Sequence, residues 1–189
     1  EDIKRYEISA RAFAPEAVKF IEGIADSASV FFEISNYADA MSDYYKVMFL
    51  NIEYCMMFGT PGDEARFPLA SHGCTAIAVE PSATADGSCI FTHNCDVPFS
   101  PYAHRVTYIA IPDDPTYNAF WTATEPGKLN FTAINSKGVA STILSGPRDK
   151  SWIPNQGVFE RSFGVAWPFI VFTQMIKANN LKDAIDIVT

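Results

Sequence analysis

Cys74 stands directly after Gly73 at the head of the run Cys74-Thr75-Ala76-Ile77-Ala78-Val79, and a second run, Phe91-Thr92-His93-Asn94-Cys95-Asp96, returns with an imidazole, an amide and a carboxylate. A thiol in such company is material for nucleophilic catalysis: sulfur attacks a carbonyl while a neighbouring base takes its proton. For that chemistry the two runs must be strands of one hairpin. Alternating small and β-branched residues favour strands, and the intervening Pro81 to Ser88 supplies Pro, Ser and Asp86-Gly87 turn chemistry. With the turn centred near Thr84, residues whose numbers sum to about 168 face each other. Cys74 then lies opposite residue 94, within two positions either way, and His93, Asn94 and Asp96 come to its end of the hairpin. A one-residue slip would exchange the faces.

Two other readings of these residues stand beside the nucleophile. A cysteine at a strand edge also serves as a small buried hydrophobe. His72, Cys74, Cys89, His93 and Cys95 are soft and imidazole ligands close together in sequence, as in a zinc module, although the paired CxxC spacing of zinc knuckles is absent.

The elements that must hold the hairpin follow from periodicity. Residues 1–73 read as mostly helical. Pro15 suits a first turn, and Ala17, Phe20, Ile21, Ile24 and Ala25 recur at three and four, opposite Glu16, Lys19, Glu22 and Asp26. A second helix is expected from Ser42 or Asp43 through Met57, apolar nearly all round and so buried between other elements. Gly59 to Asp63 is dense in turn residues, and 60–72 form a polar connection into the hairpin. Beyond the hairpin strands, Cys74 to Val79 and Cys89 to Asn94, further strands are expected at Val106 to Ile111, Asn118 to Ala123, Lys128 to Asn135 and Gly138 to Leu144. Turns fall at Asp113-Asp114-Pro115 and Asn135 to Gly138. Ser145-Gly146-Pro147 ends the strands, Arg148 to Gly164 reads as an irregular crossing, and helices are expected at Trp167 to Ile176 and Leu181 to Val188. Helices, then consecutive strands, then helices make an α+β arrangement of helix layered on sheet.

Composition narrows the function classes. With 48% hydrophobic residues over 189 positions, one substantial core can be buried. A net charge of -8 leaves no basic face to neutralise phosphates, which argues against a nucleic-acid partner. The most apolar stretch, Val165 to Ile176, is interrupted by Pro168 and Gln174 and falls short of the roughly 18 residues of a membrane span. The four cysteines lack the regular spacing of a small disulfide scaffold. The chain opens on Glu1 rather than methionine, as a trimmed terminus does, and Leu181 to Thr189 stops inside a helix without a C-terminal glycine, so the front portion of a longer protein is expected.

Gly73-Cys74-Thr75-Ala76-Ile77-Ala78, the loop Ala83-Thr84-Ala85-Asp86-Gly87-Ser88 and His93-Asn94-Cys95-Asp96 together resemble the amino-terminal nucleophile (Ntn) hydrolases with a cysteine nucleophile. Within that group the resemblance is to the isopenicillin N acyltransferase-like family, also called acyl-CoA:6-aminopenicillanate acyltransferase or peptidase family C45. It extends over most of the chain from about residue 44. Leu50-Asn51-Ile52-Glu53-Tyr54 looks like that family's propeptide, and Ala133 to Val139 is similar to a turn found there and in the choloylglycine hydrolases. The resemblance implies a four-layer αββα sandwich represented by its N-terminal portion, with residues 1–73 a helical propeptide and 74–189 the first part of the catalytic domain.

The same resemblance implies a precursor that cuts itself at the Gly73-Cys74 bond and acts on a small-molecule N-acyl substrate without a cofactor or metal, its partners being its own cleaved propeptide and, at most, further copies of itself. The new α-amino group titrates at about 7.7–8.0 and a free thiol at about 8.5, so one residue supplies base and nucleophile near neutral pH. By resemblance Asp96 orients that amino group and Asn94 helps shape the site. His93 stands where the choloylglycine hydrolases carry arginine, so an imidazole replaces a permanent cation. Ser145 aligns with the residue whose backbone N–H forms half of the oxyanion hole. The family's second donor, an asparagine side chain, and its late arginine have no counterpart within 189 residues. The Ala-Thr-Ala-Asp-Gly-Ser loop also resembles the C69 dipeptidases, against which the long helical segment before Cys74 speaks, since their leader is short. A choloylglycine or penicillin V acylase-like amidase is the neighbouring enzymatic alternative, and a catalytically inactive binding domain on the same fold, or the zinc module, the non-enzymatic one.

Overall fold

The computed structural model describes residues 2–31, 41–58, 73–96, 104–144 and 164–189. The expected connection 60–72, the crossing from Arg148 as far as 163, and Ser145 lie outside them.

Among the described residues the chain is a mixed α+β structure with five α-helices and two antiparallel sheets. Helices α1 (Asp2–Phe13), α2 (Pro15–Phe31) and α3 (Asp43–Phe58) come first. Strands β1 (Gly73–Val79) and β2 (Ile90–Asp96) form a two-stranded hairpin. Strands β3 (Val106–Ala110), β4 (Phe120–Thr124), β5 (Thr132–Asn135) and β6 (Ala140–Thr142) make a four-stranded meander in chain order. Helices α4 (Trp167–Lys177) and α5 (Leu181–Asp186) close the described chain.

The expected stripe of α2 is the buried one: Ala17, Ile21 and Ala25 are in the core with Val18, and Phe20 and Ile24 lie against it. The first helix carries its own stripe at three and four, with Tyr6 and Ala10 buried and Ile3 and Phe13 packed alongside. Helix α3 differs from expectation. Val47, Met48, Asn51 and Ile52 are buried, but Phe49 is 37% exposed, so this helix lies on the core rather than within it.

The meander turns one face to the helices. Tyr108, Phe120, Thr122, Thr124, Ala133 and Asn135 occupy alternate positions on that side, and Phe20 of α2 and Phe172 of α4 pack with Phe120 and Tyr108 in one aromatic cluster with centroid separations of 5.5–6.3 Å. The opposite face carries Ile109, Trp121, Ile134 and Ala140 in one cross-strand row and Thr107, Ala123, Thr132 and Thr142 in the next. The hairpin approaches the meander on this second side, through contacts to Thr132 and Phe131.

Two asparagines fix the turns of the meander. Asn135 accepts from the backbone N–H groups of Lys137 and Val139 and donates to the carbonyls of Met175 and Ala178, tying the Asn135 to Gly138 turn to the end of α4. Those carbonyls are among the acceptors that a helix end leaves without an intrahelical donor. Asn51 of α3 plays the equivalent part before β5: its Nδ2 donates to Gly127 O and its Oδ1 accepts from Leu129 N–H at 2.7 Å. That bond explains why β5 begins at Thr132 rather than Lys128: the backbone at Leu129 is satisfied by a side chain from the helix, not by a neighbouring strand, and Leu129 to Phe131 turn into the core.

Candidate active site

The hairpin register is Gly73↔Asp96, Cys74↔Cys95, Thr75↔Asn94 and Ala76↔His93, a numerical sum of 169. It falls inside the range that the turn centre predicts, and it decides the faces. Cys74, Ala76, His93 and Cys95 alternate onto one side of the hairpin, while Thr75 and Asn94 alternate onto the other, both exposed. The register therefore brings Cys74 and His93 to one face and leaves Asn94 on the other. The backbone of Asp96 pairs with Gly73, one residue before Cys74. Ser145 lies outside the described residues.

The turn that sets this register is built locally. Pro81–Ala83 form a 3-10 turn, Thr84 Oγ1 donates to Ser88 O at 2.8 Å, Asp86 Oδ1 accepts from the Ser88 amide and hydroxyl, and Gly87 supplies a φ of +74°.

On the inner face, Cys95 is buried and Cys74 half-buried, and the two are directly opposed in the ladder. Burial first, and then the Cys74 sulfur beside it, push the Cys95 pKa up to about 11, with Arg105 pulling the other way. Cys95 is therefore a neutral thiol at neutral pH. Arg105, just before β3, donates from Nη2 to Cys95 Sγ at 3.4 Å, and its guanidinium lies 5.1 Å above the Phe131 ring. His93 stacks on Phe131 at 5.5 Å, and its Nδ1 meets Thr132 Oγ1 at 2.5 Å, which in turn is 3.0 Å from Thr142 Oγ1. Two anchors thus dock the hairpin on the meander: an imidazole on a threonine pair and a guanidinium under a thiol.

A line of charges leads from this point back to α3. Glu125 lies 3.9 Å from Arg105 and 2.6 Å from Lys128, and Lys128, itself buried, is 2.6 Å from Glu53. Buried cations need such pairing to offset desolvation. Glu53 and Asn51 both belong to the Leu50 to Tyr54 stretch singled out in the sequence, and this stretch holds the β4–β5 connection beneath the hairpin's anchor.

Between hairpin and meander runs a cleft of about 800 Å³. Phe91, Trp121, Ile134 and Ala140 give it an apolar floor and wall, and His93, Cys95 and Arg105 its polar end. Cys74 is not among the lining residues; it stands across the hairpin from Cys95, which is. Of the aromatics whose type suits an acyl pocket, Trp121 lines the cleft, Phe120 is core at 2% exposure, and Phe99, Tyr102 and Trp152 lie outside the described residues.

Arg105, Thr132 and Phe131 escape sequence reasoning because nothing in their spacing ties them to the hairpin. Cys95, read from the sequence only as a soft metal ligand, is the residue that the register sets opposite Cys74. Among the described residues no three His, Cys, Asp or Glu side chains converge as metal ligands; His72 lies outside them. No described helix is long and apolar enough to cross a membrane. In comparison with known proteins, the chain matches no family model, no curated protein and no solved structure.

Proposed function

We propose that the full protein is an autoprocessed cysteine Ntn amidohydrolase or acyltransferase of the isopenicillin N acyltransferase-like kind, acting on an N-acyl bond through an acyl-enzyme on Cys74. The observation that supports the reading is the position of the Gly73-Cys74 bond: it opens β1, opposite Asp96 and Cys95, and Cys95 in turn lines the polar end of a mostly apolar cleft. On this reading the helices and the meander are two layers of the αββα sandwich, and the hairpin belongs to the second sheet.

The chemistry has two stages. In the precursor, Cys74 Sγ attacks the Gly73 carbonyl, the acyl group moves from nitrogen to sulfur, and water hydrolyses the thioester to release Cys74 as a new amino terminus. In the mature chain that amino group takes the thiol proton and the sulfur attacks the substrate carbonyl. Asp96 orients the amino group, the backbone N–H of Ser145 serves the oxyanion, and Asn94 shapes the entrance from the exposed face. The cleft suits a substrate with an apolar acyl group, its amide at the His93 and Arg105 end.

The test is to incubate processed full-length protein with N-acyl amino acids, penicillin V, dipeptides and bile-salt amides. The expected result is amine release and a thioester adduct mapped to Cys74. Turnover of dipeptides alone would move the assignment to a C69-like dipeptidase, and an adduct on any other residue would overturn it.

A further inference from the structure

The hairpin holds two cysteines in direct cross-strand register, and nothing in the hydrolytic reading requires the second to be a cysteine. We propose that Cys74 and Cys95 are a reversible dithiol–disulfide pair, a modification site that responds to hydrogen peroxide.

Geometry carries the proposal. Directly opposed residues of an antiparallel ladder have Cα atoms about 4.5 or 5.5 Å apart, depending on the pair type, and a disulfide spans about 4.4–6.8 Å. The Cα spacing of either pair type falls within that span. The two side chains share one face of the hairpin as directly opposed partners. The remaining cysteines are elsewhere: Cys55 is on α3, and Cys89 precedes β2, at the far end of the strand from Cys95.

The environment assigns the two sulfurs different parts. Cys74 is half-buried and Cys95 buried, so peroxide meets Cys74 first. Cys74 sulfur attacks one peroxide oxygen and the O–O bond breaks. Two electrons pass from sulfur to peroxide, giving Cys74 sulfenic acid and one water. Cys95 sulfur then attacks Cys74 sulfur, the S–O bond breaks, and hydroxide leaves with the Cys95 proton as a second water. The balance is two thiols and one hydrogen peroxide giving one disulfide and two waters. Arg105, 3.4 Å from Cys95 Sγ, stabilises the negative charge that develops on Cys95 as it loses its proton. A thiol such as glutathione or dithiothreitol reverses the bridge by exchange.

The pair forms whether or not Cys74 is the nucleophile; only the accompanying loss of turnover rests on that proposed function. Full-length protein is treated with hydrogen peroxide, blocked with iodoacetamide and digested without reduction. Trypsin leaves Cys74, Cys89 and Cys95 on one peptide, since no Lys or Arg lies between them, so added cleavage after Asp86 and Phe91 separates the three. The expected product is a Cys74–Cys95 cross-link, two hydrogens lighter than the dithiol and restored by dithiothreitol. In a Cys95→Ala variant Cys74 should instead advance to sulfinic acid that dithiothreitol does not rescue. Cys95→Ser, checked for the wild-type melting transition, gives the same readout should alanine perturb the fold. Alkylation of both cysteines after peroxide, or a bridge to Cys55 or Cys89, would overturn the proposal. A disulfide that forms and leaves N-acyl turnover unchanged would uphold the pair and count against Cys74 as the nucleophile.

Discussion

At the scale of single residues, two neighbouring sulfurs have different surroundings, and those surroundings set what each can do. Cys95 is buried, and its pKa of about 11 keeps it protonated at neutral pH, whereas Cys89, outside the strand, is exposed. Iodoacetamide should therefore label Cys89 at neutral pH and spare Cys95, with Cys95 labelling rising as pH approaches 11. Rapid neutral labelling of Cys95 in folded protein would show that the hairpin does not sit against Phe131 and Arg105 as described. Much of this site was legible in the sequence. The eight-residue turn from Pro81 to Ser88 limits the register to a few choices, and the observed register lies among them. The face of Asn94 was not legible, because one step of register reverses it. Arg105 was not legible either, since its role comes from a fold-level contact between a strand entrance and a different sheet.

At the scale of elements, the short stretch Leu50 to Glu53 of α3 organises the β4–β5 connection. Gly127 has a φ of +80°, and a Cβ placed on it would lie 2.8 Å from Leu50 Cδ1. Gly127→Ala should cost about 1–2 kcal/mol from the left-handed backbone alone, with the Leu50 side chain displaced as well. Asn51→Ala leaves the Leu129 N–H buried without its acceptor and should cost about 1–3 kcal/mol. Urea melts of the two variants measure both losses, and an unchanged midpoint for Asn51→Ala would show that the α3 clamp contributes nothing. The periodicity of α2 and the start of α5 after Asn180 followed from sequence. Asn180 Oδ1 accepts from the Asp183 N–H as an N-cap does. The start of β5 did not follow, because an alternating run such as Leu129-Asn130-Phe131 has the same pattern whether strand partners or a helix side chain satisfy its backbone.

At the scale of the whole molecule, α1 to α3 share one hydrophobic core with the meander and α4: Ile21, Met48 and Ile52 belong to the same buried cluster as Phe120, Phe169 and Phe172. The helices before Cys74 are thus an integral layer of the described fold, and a cut at Gly73-Cys74 should leave two chains that co-elute under native conditions. One polar link between them is pH-dependent. Burial acts to raise the Glu16 carboxyl, but bonds from Lys177 at 2.9 Å and Tyr117 at 2.8 Å outweigh it and hold the pKa below its usual 4.5. A depressed folded-state pKa contributes stability that is present above 4.5 and lost as pH falls through the lowered value. Native chromatography of cleaved protein across that acid range should show the association weakening below pH 4.5, and Glu16→Gln should flatten the dependence. The α+β layering was legible from the order of helical and strand patterns, while the sharing of one core was not, because a patterned face does not name its partner. The most direct measurement of the central claim is the intact mass of purified full-length protein beside Cys74→Ala. Two chains meeting at Gly73 and Cys74 in wild type, and a single uncut chain in the variant, are predicted; an uncut wild-type chain identical to the variant except for the substitution would contradict autoprocessing at Cys74.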